Sequence, residues 1–398
     1  MDPHGPIARR FPLVARFRPV CLPLPTRVRT LAELADRASK QSEPGLASTV
    51  FNQAALLASD LDLPDMARSM CHRYADAYLR ACPLPAVSAI RGLEPLVNLA
   101  RLQIRSGQTD EGRQRLLGLY EAVGAGRAAV FEGITVPDDL TGAAEDRREV
   151  HAWLWRVVLA DGTRTLTTTG RWPEALAHIE QHRGVGTRML DGRQVAIVAA
   201  LTAGDTERAA ELLNGTAAGD PWEQAVTHCL TVLCRRYANQ PFDDCLADLV
   251  NVFLCHEAKP GLTVFDTRLG LTVLDAVESA QHPGARPVAE DLVWRATEAQ
   301  NGYAARELLA HRLFTTVVTG RQVQDCSDLV RSCGLGGRVL PEALHRTISA
   351  ALDSSEVVIS RSTGATQPAA RHSTETLSGC RCRRFSERPR CCHRLPIA

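Results

Sequence analysis

The sequence predicts an all-α fold, in which antiparallel helical hairpins stack into a superhelix, an α-solenoid. Two observations support this prediction. Across residues 93–123 apolar side chains recur at helical spacing on both sides of a short polar turn, and the same turn pattern returns elsewhere in the chain. A hairpin of this composition has more apolar surface than it can cover alone, so it is expected to stack on its neighbours. No stretch has eighteen consecutive apolar residues, so we predict no membrane span.

The clearest hairpin lies between Leu93 and Val123. The stripe of its first helix consists of Leu93, Leu96, Val97, Ala100 and Ile104. Gly107 suits the left-handed residue that ends this helix, and Thr109 can cap the next one. The apolar face of the second helix consists of Gly112, Leu116, Leu117, Tyr120 and Val123.

A single turn pattern recurs, in which a turn residue is followed five positions later by a small residue. The pairs are Asp62 and Ala67, Gly107 and Gly112, Gly170 and Ala175, Gly204 and Ala209, and Gln240 and Cys245. We expect the small residue to be required because the second helix of each pair crosses close to the first. Gly170 and Gly204 are 34 positions apart.

Two of these turns resemble a known repeat. The segments TGRWPEALAHI (169–179) and AGDTERAAELL (203–213) are similar to the turn and second-helix start of tetratricopeptide repeats, with Ala175 and Ala209 as the small residue. The resemblance covers about four helical pairs within residues 48–254 and is that of a divergent array, of a kind associated with actinobacterial regulators. It implies helical pairs stacked into a superhelix, with the first helix of each pair on the concave face.

The remaining elements follow in chain order. Residues 1–28 are rich in Pro and Arg and predict a flexible basic arm. A repeat domain is expected over 30–352, with a further hairpin at 49–79 and an insertion loop at 124–147 that collects Gly, Pro and Asp. Residues 354–398 lose the helical period and predict a disordered tail rich in Ser, Arg and Cys. Later helices are expected at 151–169, 222–255, 263–280, 288–300, 303–318, 323–333 and 341–352, and a strand within 263–280 stays open.

The composition of the chain limits the classes of partner that we expect. The chain has 46 basic and 45 acidic residues, so no global field attracts nucleic acid or an anionic membrane, and we predict no direct contact with either. Lys40 and Lys259 are the only lysines, and the excess of Arg with Ala and Gly is typical of a GC-rich, for example actinobacterial, genome. The thirteen scattered cysteines favour reduced core residues and a cytoplasmic location.

No catalytic, cofactor or metal site is predicted. The sequence has no Walker loop, kinase set, zincin helix or nucleophile elbow. His178 and His182 have the i, i+4 spacing of a chelating pair, but no further ligand is evident. Cys380, Cys382, Cys391 and Cys392 in the tail lack the paired spacing of a zinc site.

A binding groove is the remaining kind of site. Counted back from the turns, the polar residues predicted to face inward are Asn52, Asn98, Arg101, Arg164 and Gln194. Amide and guanidinium groups in an apolar wall can hydrogen-bond the backbone or carboxylate of an extended peptide. Asn98 resembles the first-helix asparagine with which tetratricopeptide repeats hold a peptide.

The first functional hypothesis is therefore a non-catalytic adaptor or regulatory module that binds a protein or peptide in its groove. The alternative is the sensor module of a transcriptional regulatory system that acts with a separate DNA-binding protein. A third is an α-helical enzyme whose site the sequence does not reveal. Oligomeric state stays open.

Overall fold

A computed structural model describes residues 1–364, and 71% of these residues are helical. The described part of the chain is therefore all-α as predicted, apart from one short strand pair. The helices are α1 (Pro6–Arg10), α2 (Leu24–Gln41), α3 (Pro44–Asp60), α4 (Pro64–Leu79), α5 (Ala86–Arg105), α6 (Thr109–Ala125), α7 (Ala144–Val157), a π-helical turn (Val158–Gly162), α8 (Thr163–Thr168), α9 (Trp172–Gln181), α10 (Asp191–Ala203), α11 (Thr206–Asn214), α12 (Pro221–Tyr237), α13 (Asp243–Leu254), α14 (Thr263–Val277), α15 (Ala285–Glu298), α16 (Gly302–Leu309), α17 (Arg312–Val317), α18 (Gly320–Ser332) and α19 (Glu342–Gly364). Residues 263–277 are helical, which removes the strand alternative.

The recurrent turn has the predicted geometry in four of its five positions. Asp62, Gly107, Gly170 and Gly204 all have positive φ, between 60° and 92°. In each of these turns the next residue donates its N–H to a carbonyl five positions earlier, as Gln108 does to Gln103 and Asp205 does to Ala200. In the fifth turn the left-handed residue is Asn239, one position before the predicted Gln240.

The small residues after these turns are at close helix crossings. Ala67, Ala175 and Ala209 have no exposed surface. A Cβ added to Gly112 would be 2.8 Å from the carbonyl oxygen of Ala100 on the preceding helix. The predicted reason for a small side chain is thus confirmed at Gly112.

The insertion loop predicted at 124–147 contains a strand pair. β1 (Ala129–Phe131) and β2 (Ile134–Val136) form an antiparallel hairpin, in which Ala129 is opposite Val136. Ile134, Val136 and Leu140 are buried, because the hairpin and the loop after it pack against the helices around them. The sequence pattern missed these short strands because Gly and Pro surround them.

From α2 to α17 each helix packs against the next one along the chain, with the π-helical turn between α7 and α8, and the buried side chains of the described residues form two cores. The first core combines α2–α7 with α19, and the second combines α1 with α8–α18. We name these groups the first lobe and the second lobe. The two ends of the described part of the chain are exchanged between the lobes, because the N-terminal segment packs on the second lobe and α19 packs on the first.

The N-terminal segment (residues 1–21) corrects the prediction of a flexible arm over 1–28. It contains α1, and Ala8, Phe11 and Leu13 are buried in the second core. The prolines do not prevent this packing: Pro6 is at the start of α1, where no intrahelical N–H is needed, and the residues after α1 take their hydrogen bonds from side chains of other helices. α2 begins at Leu24, six residues before the predicted start of order at Thr30.

The C-terminal helix corrects the predicted boundary near residue 352. α19 continues to Gly364 and packs on α2, α3 and α4, with Ser355, Val358 and Ile359 buried. The part of the predicted tail from 365 to 398 is outside the described residues. Within residues 1–364 no helix combines the length and the apolarity that a membrane span requires.

The linker before α19 joins the second lobe to the first. Gly336 N–H donates to the Asp60 carbonyl at 2.8 Å, and Arg338 N–H donates to that of Leu61. The buried Asp60 carboxylate accepts from Arg27 at 2.7 Å and from the Tyr303 hydroxyl. The last helices of the second lobe are therefore attached to the α3–α4 turn.

Candidate functional site

Gln194 on α10 holds the backbone of the N-terminal segment. Its Oε1 accepts from Leu13 N–H at 2.6 Å, and its Nε2 donates to the Leu13 carbonyl at 2.7 Å and to the Met189 carbonyl at 3.0 Å. Gln194 has no exposed surface. Both amide hydrogens are used, so the side chain is fully committed to two backbone segments. Gln194 thus binds an extended segment of the same chain through its main-chain atoms.

Arg164 on α8 adds a second contact to the same segment. Its guanidinium donates to the Pro12 carbonyl at 3.2 Å. Trp172, at the start of α9 and fully buried, donates its indole N–H to the Pro3 carbonyl at 3.1 Å. Three separate helices of the second lobe therefore bind carbonyls of residues 3–13.

The other three predicted residues are on the first lobe. Asn98 Nδ2 donates to Asn52 Oδ1 at 2.8 Å, and Arg101 Nη1 donates to Asn98 Oδ1 at 3.2 Å. Asn52 Nδ2 in turn donates to Glu94 Oε2 at 2.7 Å. The result is one hydrogen-bonded row, which we name the polar row, formed by Glu94, Asn52, Asn98 and Arg101.

Both ends of the polar row are anchored. At one end the Tyr74 hydroxyl also donates to Glu94, at 2.9 Å, and burial raises the pKa of the Glu94 carboxyl above its ordinary value. At the other end Arg101 pairs with Asp161 in the π-helical turn at 2.9 Å. The row therefore extends from α4 to the junction between the two lobes.

The polar row and the N-terminal segment approach each other. Arg101 and Arg105 are near enough to Arg18 that their charges contribute to lowering its pKa. The structure thus brings together Asn52, Asn98 and Arg101 as one row, and separately Arg164 and Gln194 on the N-terminal segment.

Sequence reasoning missed several partners of these residues. Glu94 is one helical turn before Asn98 on α5, so the spacing of residues 94, 98 and 101 is a signal that would have revealed the row. Asp161 and Tyr74 belong to other helices and have no such signal. Leu13, to which Gln194 is hydrogen-bonded, is 181 residues away in the chain, and no local pattern can indicate this contact.

The histidine pair at the C-terminal end of α9 is hydrogen-bonded to backbone. His178 Nε2 is 3.1 Å from the Val158 carbonyl oxygen, and His182 Nδ1 is 2.8 Å from that of His178. Burial lowers the pKa of the His178 imidazole. Among residues 1–364 no group of three or more His, Cys, Asp or Glu side chains is placed to hold a metal ion.

Comparisons with protein-family models, with curated proteins and with solved structures found no match to this chain. The two features of this region are the half-buried polar row and the neighbouring surface that holds the backbone of the N-terminal segment.

Proposed function

We propose that this chain is a non-catalytic adaptor that binds an extended peptide of a partner protein, on the inner face of a divergent, tetratricopeptide-like helical array. The observation that carries the proposal is the pair of hydrogen bonds between Gln194 and the backbone of Leu13. Within the chain, Gln194 shows how an amide side chain of this helical array can pair with the N–H and C=O of one extended residue. The same chemistry on the first lobe is then available to a segment from another protein.

The polar row has the capacity that such binding requires. Asn52 and Asn98 each use one amide hydrogen and one oxygen lone pair in the contacts described, out of two of each. Both side chains are half-buried, so they remain accessible while their orientation is held by neighbours. One remaining donor and one remaining acceptor on each asparagine match the alternating N–H and C=O groups of an extended chain.

Affinity capture from a native lysate tests this proposal. The bait is the full chain, in wild-type form and as the double variant Asn52→Ala/Asn98→Ala, and captured proteins are quantified by mass spectrometry. We expect a specific partner whose recovery falls about tenfold or more in the double variant, which corresponds to roughly 1.4 kcal/mol of binding energy. An identified partner is then reduced to a synthetic peptide and its affinity measured by fluorescence anisotropy.

The matched control is Gln224→Ala/Arg208→Ala on the exposed surface of the second lobe, where both side chains make only local contacts. The control is expected to keep the partner. Thermal unfolding of all three proteins separates lost binding from lost folding. An identical partner set in folded wild-type and Asn52→Ala/Asn98→Ala protein would remove the polar row as the binding surface.

A further inference from the structure

A small cavity lies between the N-terminal segment and two helices of the second lobe. Four arginines line it: Arg16 and Arg18 from the segment, Arg164 from α8 and Arg268 from α14. Its volume is about 30 Å³, whereas a single water needs roughly 10–15 Å³, so a group larger than water fits. Arg16 and Arg18 are exposed and form its mouth, so the cavity can be reached from solvent.

Two of the four arginines are neutralised by carboxylates. The Arg16 Nη2 donates to both carboxylate oxygens of Asp191, at 2.8 and 2.9 Å. Arg268 makes a similar contact with Glu307, with its Nε 2.9 and 3.0 Å from the two carboxylate oxygens. These pairs fix the directions of both guanidinium groups and leave their net charge near zero.

The other two arginines, Arg18 and Arg164, have no carboxylate of their own in an ion pair among the described residues, although Glu307 and Asp191 act on them from a greater distance. Within residues 1–364 no carboxylate is within 4.0 Å of Arg18 or Arg164, and Arg164 has only the neutral Pro12 carbonyl as a hydrogen-bond acceptor. No acidic side chain lines the cavity. The cavity therefore has an excess of two positive charges.

Two uncompensated positive charges close together are energetically unfavourable. Loss of hydration lowers the pKa of Arg164 to about 9, and repulsion by Arg268 and Arg18 adds to the shift. The pKa of Arg18 falls to about 10 for the same reasons, although its side chain still contacts solvent at the mouth. An anion among these guanidinium groups would remove the repulsion.

We propose that the cavity binds a phosphate-class oxyanion, either inorganic phosphate or the phosphate group of a small organic ester. The two uncompensated arginines match the charge of about −1.5 to −2 that a phosphate monoester has at pH 7. Planar guanidinium forks are well suited to phosphate oxygens. Because Arg18 belongs to the N-terminal segment and Arg164 and Arg268 to helices, the bound oxyanion also attaches that segment to the second lobe.

Thermal unfolding of the full chain tests the site without any peptide partner, so its result is independent of the proposed function. Sodium phosphate, glycerol phosphate and sodium acetate are titrated against sodium chloride at matched ionic strength. We expect phosphate or glycerol phosphate to raise Tm in a saturable way, and the tighter of the two identifies free phosphate or an ester as the ligand. A shift with acetate alone would overturn the assignment to phosphate.

Two variants locate the site. Arg18→Gln and Arg18→Gln/Arg164→Gln are expected to lose the phosphate shift, with at least a tenfold weaker Kd by calorimetry. Arg80→Gln, an exposed arginine of the first lobe paired only with Asp76, is expected to keep it. Since Arg18 has no carboxylate partner, its single variant is expected to fold even where the double variant does not.

Hydrogen exchange supplies a readout that general stabilisation would not give. The amide of Arg18 donates to the Gly261 carbonyl at 2.9 Å, so phosphate is expected to slow its exchange at least tenfold more than that of buried amides in the first lobe. A phosphate effect equal to that of chloride, or one that persists in Arg18→Gln, would overturn the proposal.

Discussion

At the scale of single residues, the most informative side chain is Gln194. The sequence predicts that it faces a binding groove; in the structure it has no exposure to solvent and forms two hydrogen bonds to Leu13 of the same chain. Buried backbone groups need partners, and Leu13 N–H has no other partner among the contacts described. The N-terminal segment is thus docked by a specific contact as well as by apolar packing.

Replacing this side chain gives the first prediction. Gln194→Ala leaves Leu13 N–H and C=O buried without partners, at about 1–3 kcal/mol for each group, so we expect the free energy of unfolding to fall by about 2–6 kcal/mol. Equilibrium unfolding in urea measures the change. Gln224→Ala, which removes one exposed contact to the Gly219 carbonyl, should change it by less than about 0.5 kcal/mol. Equal losses in the two variants would contradict the role given to Gln194.

At the scale of elements, the recurrent turn determines how closely paired helices can cross. The left-handed residue ends the first helix, and five positions later the second helix is nearest to the first. Gly112 shows the limit most clearly, since a Cβ there would be 2.8 Å from the Ala100 oxygen and 2.5 Å from Ile104. Backbone atoms cannot move aside as a flexible side chain can, so the crossing distance restricts this position to glycine.

A pair of glycines on α6 tests this limit. Gly112→Ala should destabilise the protein by about 1–3 kcal/mol through overpacking, although alanine is the better helix former. Gly118→Ala on the same helix has its nearest neighbour at 3.9 Å and should instead stabilise it by roughly 0.5–1 kcal/mol. Chemical denaturation of both variants gives the comparison. If both substitutions stabilise the protein, the helices do not cross as closely as described.

At the scale of the whole molecule, each lobe is completed by the opposite end of the chain. Phe11 is fully buried in the second core, and Ile359 is fully buried in the first. The linker at Gly336 and Arg338 and the ion pair of Arg171 with Asp110 are among the contacts that connect the lobes. A destabilising substitution in the N-terminal segment should therefore loosen the second lobe, and one in α19 should loosen the first lobe.

Two point variants test the exchange of chain ends. Phe11→Ala should cost about 3–5 kcal/mol and Ile359→Ala about 2–5 kcal/mol, as cavities in a packed core. Hydrogen exchange followed by mass spectrometry should locate the loosening at α8–α10 and α14 for Phe11→Ala, and at α2–α4 for Ile359→Ala. Phe17→Ala, at a position 49% exposed, serves as the control. Loosening of α2–α4 by Phe11→Ala would show that the assignment of the N-terminal segment is wrong.

The candidate site was partly predictable. The helical register placed Asn52, Asn98 and Arg101 on faces that meet, and Glu94 could have been added from its spacing on α5. Arg18 and Arg268 could not have been grouped with Arg164, because they come from an extended segment and from α14 and converge only after folding. The prediction that the proline-rich start of the chain is flexible is wrong for a physical reason. Proline excludes regular hydrogen bonding within a segment, but it does not exclude hydrogen bonds to side chains of other segments.

The sequence by itself determined the helices, the left-handed turns between them and the small residues at the crossings, because these depend on spacings of three to five residues within one chain segment. Only the tertiary structure decided where the two ends of the chain pack and which arginines converge. A contact between residues 181 positions apart leaves no periodic signal in the sequence. Each partner lies in a segment that, taken alone, has the composition of an ordinary helix or loop. The polar character of Gln194 is evident from the sequence, but the backbone segment that it binds is not.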